Sequence, residues 1–159
     1  MSPALFLDRG LHRRLVDGLY LEAMVMADEA RAYFDQRETD AGEMDDPLRR
    51  VSFACESLKV TTRLMHVIAW LLSQRAWQRG EIADADLADE KYRLGRAAST
   101  DAEVALAFPF AARALIEASQ ELYDRVSRLQ DSMDRMARPP AQQAANPARA
   151  LMDRLNLAF

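Results

Sequence analysis

The sequence predicts an all-α fold, an up-down-up three-helix bundle with a long central helix and a flexible C-terminal tail. Three observations carry this. Glycine (5) and proline (6) are scarce among 159 residues, so turns are few and the elements between them are long. Apolar residues recur at steps of three and four over long stretches, the period of a helix with one buried face. No alternating β-branched run competes with that pattern. Half of the residues are hydrophobic and 29% are charged, a globular composition whose length suits one core.

The first helix is expected from about Leu11 to about Gln36. Its stripe reads Val16, Leu19, Ala23, Met26, Ala30, Tyr33, with Gly18 weakening it modestly. The stretch RETDAGEMDDP breaks the pattern and reads as a solvated loop; its acids also allow an acidic recognition loop for a basic partner. Asp46 is a natural N-cap and Pro47 suits a first helical position, so the second helix is expected over residues 47–79, stopping at Gly80.

That central helix has two apolar stripes. One is Val51, Cys55, Leu58, Thr62, Met65, Ala69, Leu72, Ala76; the other is Phe53, Val60, Leu64, Val67, Ile68, Leu71. Together they exceed the stripe of about 100° that one neighbour requires, so the helix is expected to lie between two others. Residues 81–107 read as an irregular connector, with a short helix in DADLADEKYRLG capped by Asp84 and closed by Gly95.

The third helix is expected over residues 109–137. Its stripe is Phe108, Ala112, Leu115, Ser119, Leu122, Val126, Leu129, Met133, Met136, and Glu121–Arg125, Asp124–Arg128 and Asp131–Arg135 are spaced as surface ion pairs. The bundle thus spans residues 1–137. Residues 138–159 read as a linker with an apolar tail bearing Leu151, Leu155 and Phe159. That tail is either a terminal helix folded back on the bundle or a tethered peptide that docks on another protein.

The formal net charge of −4 argues against nucleic acid and anionic membrane surfaces as partners. A single cysteine, Cys55, fits a reducing cytoplasm, and no apolar run is long enough to cross a bilayer. No secretory signal opens the chain.

Chemistry is hard to find. There is no phosphate-binding loop, dinucleotide fingerprint, HExxH or CxxC. His12 and His66 fall on different helices without a second ligand at metal spacing, so no metal and no cofactor are expected. Cys55, on a core stripe, reads as a small hydrophobe. Lys59, Arg63 and Gln74 resemble the basic set of a helical mutase, but they fall on the wet side of the helical wheel, away from any pocket.

Trp70 and Trp77 stand in the same polar wedge, with Glu56, Lys59, Arg63, His66, Ser73 and Gln74. Covering each would gain about 4–6 kcal/mol gross. The cover is either the connector, through Leu87, Tyr92, Leu94, Val104 and Leu106, or another chain. The second option makes Arg63, Trp70 and Trp77 a contact surface.

The stretch ACESLKVTTRLMHVIAWLLSQRAWQRGEI closely resembles the signature of the alphaproteobacterial regulator-of-CtrA-degradation family, RcdA. LYLEAMVMADEARAYFD in the first helix and ARALIEASQELYDRVSRLQ in the third are similar to the same family. The resemblance implies a three-helix bundle that tends to dimerise. It implies a non-enzymatic adaptor that binds the ClpX unfoldase of ClpXP when a response regulator primes it, helps deliver cell-cycle regulators as cargo, and gathers at a cell pole. It supplies no catalytic residues. The partner-binding residues expected are Arg63, Trp70, Trp77, Leu151, Leu155 and Phe159, and a purely structural helical dimer is the alternative.

Overall fold

The computed structural model describes residues 3–40, 46–137, 151–152 and 154–155, without the side chains of residues 3–8 and 38–40. The described residues are all-helical in their regular structure. Helix α1 spans Pro3–Asp40, α2 Pro47–Gln78, α3 Ala102–Leu106 and α4 Phe110–Ala137, with a 3-10 turn at Glu90–Tyr92 between α2 and α3. By compactness the chain divides into Met1–Ser127 and Arg128–Phe159.

Local chemistry explains the ends of α2. The Asp46 carboxylate accepts from the Leu48 N–H at 3.0 Å, and Pro47 needs no donor partner in the first turn. At the other end Gly80 turns left-handed, with φ 78. Its N–H reaches the Trp77 carbonyl at 3.0 Å and the Glu81 N–H reaches Ala76 at 3.0 Å, closing a Schellman motif. Helix α1 starts earlier than its apolar stripe suggests, at Pro3. Proline is pre-organised for a first turn, and Gly10 costs a helix only about 1 kcal/mol.

Helices α1 and α2 are antiparallel. His12 meets Trp77 and Gln74 near one end, and the Phe34 and Phe53 rings meet at 5.4 Å near the other. The third long helix does not continue the alternation. Phe108 lies 6.1 Å from Phe53, and Arg63 reaches Ile116 and Ser119 further along. Helix α4 therefore runs in the same direction as α2 and antiparallel to α1, which it meets through the Arg125–Glu22 ion pair. The expected up-down-up order is corrected to up-down-down.

The reason is the connector, residues 79–109. Antiparallel neighbours are joined by roughly 2–8 residues, and a connection several times longer is a crossover. This one returns along α2. Asp84 sits at Trp77, Gly95 at His66, Ala98 at Arg63 and Thr100 at Glu56. The expected helix capped by Asp84 is not there; only the 3-10 turn forms, capped by Asp89. Asp84 instead accepts from Trp77. Arg125, expected to pair with Glu121 on its own helix, reaches Glu22.

The core follows the predicted stripes on two helices. On α1, Val16, Leu19, Ala23, Met26, Ala30 and Phe34 are buried, and Tyr33 is half-buried beside them. On α4, Ala112, Ser119, Leu122 and Val126 of the expected stripe are buried, while Ile116 is buried in place of half-buried Leu115. In the second unit Met136 is exposed, and residues 151, 152, 154 and 155 are helical. The rest of the expected linker and tail, including Phe159, and the acidic segment 41–45 lie outside the described residues.

A candidate interaction face on the central helix

Helix α2 buries Phe53, Val60, Leu64, Val67, Trp70 and Leu71, and with them Glu56, Arg63 and Gln74. The second predicted stripe is therefore core. The first is not: Val51, Leu58, Met65 and Leu72 are exposed, and Cys55, Thr62 and Ala69 between them are exposed as well. The sequence reading placed charge outward and both stripes inward. The structure turns the charged wedge in and leaves one stripe bare, so Cys55 is a surface residue.

Arg63 explains the reversal. Its side chain is fully buried, yet its donors find acceptors. Nε donates to the Ala98 carbonyl at 3.1 Å, and Nη1 to the Ile116 carbonyl at 3.2 Å and to Ser119 Oγ at 2.8 Å. Nη2 donates to Thr100 Oγ1. Thr100 in turn donates to Glu56 Oε2 at 2.6 Å, and Lys59 Nζ to Glu56 Oε1 at 2.8 Å. Burial lowers the Arg63 pKa, opposed by the carboxylates of Glu56 and then Asp124. An arginine so placed remains a cation.

The tryptophans share this covered side. Trp70 is buried, and the Nε1–H of half-buried Trp77 donates to Asp84 at 2.6 Å. The His12 ring meets Trp77 edge-on at 5.8 Å and shares a 3.3 Å hydrogen bond with Gln74. Burial lowers the His12 pKa, and the Gln74 bond acts the other way. His66 lies under Gly95, where a β-carbon would come within 2.6 Å of its Nδ1. Tyr123 donates to the Gly95 carbonyl at 2.7 Å, holding the same stretch of connector.

Arg63 and Trp70 thus do not stand on a wet surface open to a partner. Their expected placement is corrected: Trp70 is buried, and for Arg63 the connector and α4 supply the polar partners that offset the cost of the inward position. The mutase-like trio is likewise tied to protein groups, Lys59 to Glu56, Arg63 to the network and Gln74 to His12. Among the described residues no three His, Cys, Asp or Glu side chains gather at metal-binding distance. No helix of the described residues is long and apolar enough to cross a membrane.

What is available for contact lies on the opposite side of α2. Leu48, Val51, Leu58, Met65 and Leu72 are between 47% and 76% exposed. From Leu48 to Leu72 the stripe 48, 51, 55, 58, 62, 65, 69, 72 steps by three and four without a break, the heptad spacing of a helix–helix seam. Contiguous apolar surface of this kind marks protein contact sites. Beside it a groove of about 580 Å³ opens between α1 and α2, floored by Ala30, Phe34, Phe53, Leu64 and Ile68 and edged by Met65. Sequence reasoning found the stripe from Val51 to Leu72 but placed it in the core, and did not include Leu48.

Residues 7–159 match the family model described as a protein of unknown function, DUF1465. The chain belongs to this RcdA-type family. Among solved structures it is similar to RcdA from Caulobacter crescentus, with 31% identity and a TM-score of 0.61, over 79% of this chain and 95% of that one. No curated protein matches. The RcdA likeness spans most of the chain.

Proposed function

We propose that this protein is a non-enzymatic adaptor in regulated ClpXP proteolysis, and that the outer stripe of α2 is its protein-contact face. The observation that carries the reading is a heptad row of apolar side chains left on the surface of the central helix while charged residues are buried behind it. A chain that works alone gains nothing from that arrangement, since burying a Leu, Val or Met side chain stabilises by about 1.5–3 kcal/mol. The RcdA-type family membership supports the same class of function.

On this reading the stripe pairs with a second copy of the chain, because its uninterrupted heptad spacing is self-complementary. ClpX, its priming response regulator and cell-cycle cargo are the further partners, met in the cytoplasm and gathered at a cell pole. The tail is a second contact, through exposed Leu151 and Leu155 and, by sequence, Phe159. Trp77, half-buried at the connector's edge, is proposed to hold that edge in place.

Immobilised protein should retain purified ClpX in the presence of the priming regulator and speed cargo degradation. The Leu58→Glu, Met65→Glu variant should keep its helicity and lose self-association or delivery. Self-association at wild-type strength together with delivery at the unaltered rate by that variant would remove the stripe from the account.

A further inference from the structure

Helix α2 carries enough apolar residues on its outer stripe to be buried either way round. The inner side holds Phe53, Val60, Leu64, Val67, Trp70 and Leu71; the outer holds Val51, Leu58, Met65 and Leu72. The centres of the two apolar sets lie about 140° apart around the helix axis. Apolar burial favours the inner side, through Phe53 and Trp70, but it is not directional. The polar set is. Glu56 and Arg63 are on the inner side, and their hydrogen bonds outside α2 run to Ala98 and Thr100 of the connector and to Ile116 and Ser119 of α4.

We infer that the Glu56–Arg63–Thr100–Ser119 network is a rotational pin, which fixes the rotation of α2 about its own axis and thereby keeps the apolar stripe turned outward. A buried ion pair adds little net stability over apolar residues of the same volume, but it is costly to misalign. In other rotations the guanidinium loses its fixed acceptors. The connector is part of the device, because Thr100 bridges Arg63 to Glu56 and the Ala98 carbonyl caps Nε. The inference deepens the adaptor reading and rests on it for the use made of the stripe. The rotation itself is open to test without any partner.

The chain carries its own reporter. Cys55 is its one cysteine, it lies on the stripe, and it is exposed. The experiment compares the wild type with the triple variant Glu56→Met, Arg63→Met, Thr100→Val, both verified as monomers at the dilution used. Two rates are read: modification of Cys55 by a thiol-disulfide reagent, and tryptic cleavage after Lys91 and Arg96 in the connector. With the pin removed, helicity by circular dichroism should hold, Cys55 modification should slow and connector cleavage should speed up, each by about tenfold. Wild-type rates on both readouts would overturn the inference. So would loss of helicity, which would make the network a source of stability and not of orientation.

Thr100→Val alone is the second variant, since it cuts the bridge and leaves Arg63 its α4 acceptors. Its connector should be cleaved faster with helicity unchanged, and cleavage at the wild-type rate contradicts the pin. Neither readout involves ClpX, cargo or a second copy. A failed pull-down would therefore leave this result standing, and failure of the pin would leave the contact face standing.

Discussion

The two faces of α2 are the instructive comparison in this molecule. One is a clean heptad row of Val, Leu and Met, and it is wet. The other mixes Val and Leu with Glu56, Arg63 and Gln74, and it is dry. Hydropathy read along the helix ranks them the wrong way round. The difference teaches that burial of a charged residue is decided by whether distant segments bring it acceptors. For Arg63 those segments lie 35, 53 and 56 residues away. The polar network lies inside and the apolar seam outside, the arrangement on which the proposed contact face rests.

The comparison breaks first at Arg63. Arg63→Ala removes one member of a buried charged set and leaves Glu56 with only Lys59 and Thr100, so it should cost about 3–5 kcal/mol in urea unfolding. A loss within about 0.5 kcal/mol, the range of ordinary surface changes, would mean that the inner polar face is not what it looks like. Next comes a direct pairing of the two faces. Leu71→Ala, inside, should destabilise by about 2–5 kcal/mol, and Leu58→Ala, outside, should stay within about 0.5 kcal/mol when the monomer is unfolded. Equal effects would erase the distinction.

The connector's hold on the inner face is tested by Gly95→Ala. The added methyl would overlap the His66 ring, and a cost of about 1–3 kcal/mol is expected, relieved by adding His66→Ala. The smallest effect is a pH dependence at the end of the same face. The His12 pKa is lowered by burial from an ordinary 6.5, with the Gln74 bond opposing. As pH falls the unfolded chain takes up this proton first. The contribution is therefore intact above about pH 6.5 and is lost as pH falls toward the depressed folded value. The melting temperature should decline across that window, and His12→Gln should flatten the decline.

Much of the fold was legible. The stripe from Val16 to Ala30, the Asp46 cap, Pro47, Gly80 and the extent of α4 are all local signals, and local signals are what a sequence carries most plainly. The direction of α4 was missed, although the length of the segment between Gly80 and Pro109 pointed to a crossover. The rotation of α2 was missed for a different reason. Thr100 and Ser119 carry no local mark as partners of Arg63, and Ala98 and Ile116 contribute only backbone carbonyls, which no side-chain pattern encodes. The contact stripe was therefore visible residue by residue while its orientation was not. The tryptophans illustrate the same point: Trp77 finds Asp84 across the turn after α2, a partner that read as a helix cap.

The most direct measurement is sedimentation equilibrium of the Leu58→Glu, Met65→Glu variant beside the wild type, with the thermal midpoint of each monomer recorded. The account predicts that two charges on the outer stripe abolish self-association while leaving the monomer's midpoint unchanged. Association at wild-type strength, or a monomer that melts well below the wild type, would show that the stripe is not the surface by which this protein meets its partner.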